Sequence, residues 1–206
     1  MITVHHLNNS RSQRILWLLE ELDVPYTLEI HQRDAVTNLA PPSLIALHPL
    51  GKSPMIEDDG RMITESGAIV EYLCSKFGQH LIPNIDTDAY ISHLELMHFA
   101  EGSAMFPILL NLYVSKLGEA GAPLAPRIAQ QLESHFNYLE EVLRPSGHFV
   151  LDDLSAADIM LSFPAEIAVH QGRSTQLPKL AAFVAKIQSR PAYKRAIEKG
   201  GDYAFA

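Results

Sequence analysis

Gly51-Lys52-Ser53-Pro54-Met55-Ile56-Glu57-Asp58-Asp59-Gly60-Arg61-Met62-Ile63-Thr64-Glu65-Ser66-Gly67 is the stretch on which the fold turns. Two short apolar runs flank Asp59-Gly60, a dipeptide that accepts the positive φ angles of a two-residue hairpin turn. Pro54 stands at the entrance of the first run, where its missing N–H costs the ladder nothing. The main chain of Ser53 is thereby left to pair with something other than the sheet. The second run ends at Glu65-Ser66, where a helical apolar pattern begins. Together these features present an exposed main-chain edge beside a carboxylate and a helix N-terminus. Such an edge suits a small peptide that carries both an amine and a carboxylate.

Working outward, the segments before this hairpin alternate between strand and helix patterns. Ile2 to Leu7 reads as a strand, and Ser12 to Leu22 as a helix with Ile15, Leu18, Leu19 and Leu22 on one face. Asp23-Val24-Pro25 stops that helix, and Tyr26 to His31 reads as a second strand. A β-helix-β unit of this length implies a parallel pair with a right-handed crossover. After the hairpin, Ser66 to Phe77 reads as a helix with Ile69, Val70, Leu73 and Phe77 on its buried face. The order βαβ then ββα describes a small mixed sheet covered by helices.

Beyond residue 80 the pattern is helical throughout. Residues 1–80 therefore form one expected domain, 81–87 a linker containing Pro83, and 88–206 an all-helical domain. Asp88 to Leu117 is one long pattern weakened by Gly102 and Pro107, which predicts a bend. Pro126 to Leu143 follows. Ser155-Ala156-Ala157-Asp158 has capping-box spacing and opens a helix that runs to His170, although Pro164 interrupts it. Two further helices, about Pro178 to Arg190 and Pro191 to Lys199, complete the pattern.

Composition narrows the function classes. The chain has 206 residues, 47% of them hydrophobic and 19% charged, with a net charge of −8. An acidic chain without a basic run lacks the electrostatic footprint of a nucleic-acid binder. No apolar run is long enough to span a membrane, and the N-terminal residues lack the pattern of a secretory signal. The single cysteine, Cys74, excludes an internal disulfide and suits a reducing compartment. The expectation is a cytoplasmic protein. The ten histidines show no spacing that would gather a metal site: His5 and His6 point to opposite faces of a strand, and His93 and His98 do not share a helix face.

Over its whole length the chain resembles the cytosolic glutathione transferase family. The matching elements come in the family's order. Asn9-Ser10-Arg11-Ser12-Gln13-Arg14-Ile15-Leu16-Trp17-Leu18-Leu19-Glu20-Glu21-Leu22 is similar to the first helix and its active-site approach. His48-Pro49-Leu50-Gly51-Lys52-Ser53-Pro54 resembles the cis-proline loop, and Thr64-Glu65-Ser66 the γ-glutamyl-binding turn. Ser155 to Asp158 resembles the family's capping motif, and Arg190-Pro191-Ala192-Tyr193 its C-terminal signature. The resemblance implies a thioredoxin-like N-terminal domain, an all-helical C-terminal domain, glutathione as co-substrate without a metal, and a homodimer.

It also implies roles. Ser53 would pair with the middle residue of glutathione, with Pro54 in cis keeping that edge open. Glu65 would accept the γ-glutamyl ammonium, Ser66 and its helix N-terminus would hold the adjacent carboxylate, and Lys52 would meet the glycyl carboxylate. Glu65-Ser66 also reads as an ordinary acid and cap of a first helical turn, and an exposed loop lysine is ordinarily just solvated. A free thiol has a pKa of about 8.5, so lowering it by about two units takes roughly 2.7 kcal/mol of thiolate stabilisation. The family places a donor for this between the first strand and first helix. That window has no tyrosine or cysteine here. Ser10 is the first candidate, Asn9 the second and Arg11 the third. Ser10 has a competing role, since Ser10-Arg11-Ser12-Gln13 is itself a capping box. The missing cysteine argues against a mixed-disulfide mechanism, and Cys74 reads as a small core residue.

The second substrate is expected between the domains, with Met105, Phe106 and Tyr113 as an apolar wall; such a stripe is equally at home in a core. The function expected is activation of the glutathione thiolate for attack on an electrophilic, fairly apolar small molecule. The alternative is a non-catalytic protein of the same fold that acts by binding partners.

Overall fold

A computed structural model describes residues 1–206. Four strands, β1 (Ile2–Leu7), β2 (Tyr26–His31), β3 (Met55–Asp58) and β4 (Arg61–Thr64), form one sheet in the order β2-β1-β3-β4. β1 and β2 are parallel with Ile2 opposite Tyr26, as a βαβ unit requires. β3 runs antiparallel to both β1 and β4, with Asp58 opposite Arg61 across the Asp59-Gly60 turn. Asp59 and Gly60 both have positive φ, at 50° and 80°. Between and after the strands lie α1 (Gln13–Glu21), α2 (Pro42–Leu47) and α3 (Ser66–Phe77). Val4, Ile56, Leu18, Ile69, Val70 and Leu73 are fully buried.

The helical part comprises α4 (Asp88–Phe99), α5 (Met105–Ser115), α6 (Ala125–Val142), α7 (Ala156–His170), α8 (Pro178–Ser189) and α9 (Pro191–Gly200). The long pattern from Asp88 is indeed interrupted: a π turn over Ala100–Ala104, containing Gly102, separates α4 from α5. α7 is continuous despite Pro164 and buries every residue from Ala156 to Ala168. A helix enclosed on all sides gains enough from burying Met160, Leu161, Phe163 and Ile167 to outweigh the cost of an interior proline, about 3 kcal/mol for the lost hydrogen bond and the ring clash together. Its start is fixed by the expected capping box. The buried Asp158 carboxylate accepts from Ser155 N–H at 2.7 Å, Ser155 Oγ–H at 2.6 Å and Phe149 N–H at 2.9 Å.

The chain divides into two compact units, and the division differs from the expected 88–206 domain. Met1–Leu81 and Ile187–Ala206 form one unit, and Ile82–Lys186 the other. The physical reason is α9, which packs against α1. α1 was expected to have one apolar face, but Gln13 through Glu20 are all buried. Trp17 meets the Tyr193 ring edge-on at 5.5 Å between centroids. Glu20 accepts from Arg195 Nε at 2.8 Å, from Tyr26 Oη at 2.9 Å and from Lys199. Glu21 takes a two-pronged bond from Arg190 at 2.6 and 3.0 Å. Burial disfavours the Glu20 carboxylate, yet the bonds from Lys199, Arg195 and Tyr26 prevail and hold its pKa below the usual range.

Candidate active site

Strand register alone gathers the candidate residues of the first unit. His5 lies opposite Met55, and Met55 opposite Thr64. The chain leaving β1, the chain entering β3 and the chain leaving β4 therefore all emerge at one edge of the sheet. Asn9 and Ser10 follow β1, Ser53 and Pro54 precede β3, and Glu65 and Ser66 follow β4. The Ser53–Pro54 bond is cis. Ser53 Oγ donates to the His5 carbonyl at 3.2 Å, while its main-chain N–H and C=O make no bond within the chain. Those two groups are the open edge that Pro54 announced. Lys52 beside it is exposed and makes no hydrogen bond or ion pair within the chain.

Glu65 is the N-cap of α3, with φ 69° and ψ 124°. A positive φ is costly for a side chain of this size, and such strain is retained where the surroundings demand it. The exposed Glu65 carboxylate does not cap its own helix. Ser66 opens α3 and is buried. A carboxylate and a helix N-terminus thus stand side by side, complementary to an ammonium and a carboxylate on one ligand residue.

The turn between β1 and α1 has an organisation that the sequence does not reveal. Ser12, not Ser10, is the N-cap of α1, and the Ser10–Gln13 capping box does not form. Instead Ser10 Oγ lies 2.8 Å from Ser12 Oγ and accepts from Ser12 N–H at 3.2 Å. Ser12 Oγ in turn lies 2.9 Å from His6 Nδ1. Ser12 Oγ also donates to the Leu7 carbonyl at 3.2 Å and accepts from Leu7 N–H at 3.2 Å. Ser10, Ser12 and His6 thus share one buried hydroxyl–imidazole cluster in which each hydroxyl can donate or accept.

Asn9 has the opposite arrangement. It is exposed, with φ 50°, and its Oδ1 accepts from Ala204 N–H at 2.8 Å. With the oxygen so fixed, the amide orientation is set and the NH₂ group keeps its donors available. Burial pushes the His6 pKa down to about 4 against the Gly200 bond, so that ring is neutral at physiological pH. Burial likewise pushes the Cys74 thiol up to about 12, where it is an inert core group.

In the second unit, Met105 is buried at 2% exposure, whereas Phe106 and Tyr113 are 55% and 59% exposed on α5. Met105 thus serves that unit's packing, and the two rings do not. His6, Ser12, Gly200 and Ala204 were not among the residues singled out from sequence. The Ser10-Arg11-Ser12-Gln13 spacing pointed to a local bond of Ser10, but nothing in the sequence placed residues 200–204 beside it.

A four-stranded mixed sheet with a cis-proline at the entrance of β3, joined in one chain to an all-helical unit, defines a thioredoxin-like fold with a helical extension. Family models described as the N-terminal and C-terminal domains of glutathione S-transferase match residues 1–75 and 109–200. Glutathione S-transferase 3 of Schizosaccharomyces pombe is 34% identical, over 98% of this chain and 89% of its own. Glutathione S-transferase 1 of Saccharomyces cerevisiae is 30% identical, over 97% of this chain and 95% of its own. A crystal structure of a glutathione S-transferase from Actinobacillus pleuropneumoniae superimposes with a TM-score of 0.90 at 32% identity, covering 99% of this chain and 94% of that one. A Sulfitobacter homologue solved with bound glutathione shares the fold, with a TM-score of 0.83 at 19% identity, over 97% of this chain and 98% of that one. This chain belongs to the glutathione S-transferase family.

Proposed function

We propose that the protein binds glutathione at the Ser53 edge and the Glu65-Ser66 turn, and that the Asn9 amide stabilises its thiolate for attack on an electrophilic, fairly apolar small molecule. The observation that carries this reading is the single sheet edge at which an unpaired main-chain strand, a carboxylate, a helix N-terminus and an available amide donor emerge. In this reading Lys52 meets the glycyl carboxylate. The glutathione bound to the Sulfitobacter homologue adds support by analogy of fold. The binding-only alternative has no observation in its favour, since relatives at 30–34% identity carry transferase names.

Asn9 is preferred to Ser10 because it is exposed with its NH₂ group unbonded in the chain, whereas Ser10 is buried with its hydroxyl against Ser12. A hydrogen bond to a charged acceptor contributes about 1.5–3 kcal/mol, and a nearby helix N-terminus about 0.3–1 kcal/mol more. That sum reaches the roughly 2.7 kcal/mol needed to lower a thiol by two units. An amide donates but takes no proton, so the thiol proton leaves to solvent on binding. The thiolate sulfur then forms the new bond to the electrophilic atom of the second substrate as the leaving group departs with its bonding pair as an anion, or, at an activated double bond, as the π pair moves to the neighbouring atom and takes a proton from solvent. Phe106 and Tyr113 are our candidates for contact with its apolar part. A homodimer and a cytoplasmic location complete the proposal; a monomeric mass by light scattering would remove the first, and fractionation tests the second.

Calorimetry tests the binding step: no heat at millimolar glutathione would sink the proposal. Where glutathione binds, thiolate absorbance of the complex against pH tests the donor. Asn9→Ala is expected to raise the bound thiol pKa by one unit or more, at roughly 1.36 kcal/mol per unit, with little change in affinity. Ser10→Ala is expected to move it less. The reverse order would transfer the role to Ser10.

A further inference from the structure

The last seven residues return to the turn that carries Asn9. α9 ends at Gly200, whose backbone accepts from the buried His6 ring. A Cβ at residue 200 would sit 2.9 Å from Gln13 Oε1 and from Leu16 Cδ1, so the helix end lies close against the side chains of α1. Gly201, at φ 82°, then turns the chain. Ala204 N–H reaches Asn9 Oδ1, and the tail is held by Gln188 Nε2 donating to the Phe205 carbonyl at 2.9 Å and by the Tyr203 and Phe205 rings packed edge-on at 5.3 Å.

We propose that this C-terminal tail is a positioning element for the catalytic turn: Ala204 N–H holds the Asn9 carboxamide oxygen so that its NH₂ group faces the glutathione sulfur. The inference rests on the reading of Asn9 as thiolate donor and deepens it. An exposed asparagine otherwise rotates among rotamers and presents oxygen as readily as nitrogen, and an oxygen facing a thiolate repels it. Fixing the oxygen on a backbone N–H converts an ambivalent side chain into a dedicated donor. Ala204 does not touch substrate, and its role is exerted through Asn9.

The test uses the full-length protein, a form ending at Gly201, and Ala204→Pro, which removes that N–H while keeping the tail. Each is made with Asn9 intact and with Asn9→Ala. Thermal melting establishes that each variant is folded. Calorimetry gives glutathione affinity, and thiolate absorbance and the pH profile of kcat/KM give the thiol pKa. With Asn9 intact, both tail variants are expected to bind glutathione within about twofold of the parent. Their bound thiol pKa should rise by about one unit, with about tenfold less thiolate below it, and the acid limb of kcat/KM should shift equally. In the Asn9→Ala background the tail changes should add nothing.

Unchanged thiol titration in the tail variants, while Asn9→Ala does shift it, overturns the tail inference and leaves the Asn9 reading standing. A tail shift that persists in the Asn9→Ala background also overturns it. Unchanged titration in Asn9→Ala with glutathione still bound removes both. If the shortened form does not fold, Ala204→Pro decides.

Discussion

Glu65 adopts a backbone conformation that works against the fold, and the contact we propose between its carboxylate and the glutathione ammonium accounts for it. Its φ of 69° with ψ of 124° lies outside the regions that non-glycine residues favour, and its side chain does not cap the helix it precedes. Such conformations cost on the order of 1–3 kcal/mol. Glu65→Gly is therefore expected to raise the stability to urea by about 1 kcal/mol while weakening glutathione binding at least about tenfold, since a charge-assisted bond to the ammonium is lost. A variant that is destabilised and binds normally would show that the residue serves the fold instead. The Glu-Ser pair was legible because its residue types match an ammonium and a carboxylate. The backbone angle was not, because it depends on how β4 hands the chain to α3. At Asn9 and Ser10 the sequence left the donor open. The choice we propose between them turns on exposure and bonding, which Ser12 and His6 set for Ser10 and Ala204 sets for Asn9.

At the scale of elements, the strands β1 and β2 and the helix α3 begin and end where their apolar periods predict. α1 departs from its pattern. Its amphipathic reading left one side for solvent, and α9 covers that side, burying Trp17 and Glu20. Glu20 joins the two helices through Arg195 and Lys199 and anchors Tyr26 as well. Both cations are about half exposed, so solvent screening reduces what these bonds contribute. Glu20→Ala is expected to lower the unfolding free energy by about 1–2 kcal/mol, read from urea denaturation. If it also raises the bound thiol pKa, α9 transmits its position to the tail. α7 is the converse case. Pro164 argued for a break, and enclosure of the whole helix overrides it.

For the whole molecule, acid stability follows from the buried histidines. An unfolded histidine takes up a proton near pH 6.5, whereas burial keeps folded His6 neutral down to about 4. Below pH 6.5 the unfolded state binds more protons, so stability falls as pH drops toward 4 and is flat above 6.5. The full effect of His6 is on the order of 3 kcal/mol. His5, His31 and His93, each lowered chiefly by burial, add to the same slope. Glu20 enters later: its lowered carboxyl contributes until the pH falls through its folded value. His6→Gln is expected to be less stable than the parent at about pH 8 yet to lose less on acidification to about pH 4.5, as measured by urea midpoints. A parent slope equal to the variant's would remove His6 from this account. By itself the sequence determined the two-part architecture, the hairpin and the family, because apolar periods and turn dipeptides act locally. Tertiary structure alone decided that residues 187–206 belong with the N-terminal unit, and that Asn9 is held by Ala204 while Ser10 lies buried against Ser12. Those outcomes depend on hydrogen bonds between residues nearly two hundred positions apart, such as Ala204 to Asn9, and no local pattern encodes such a pairing.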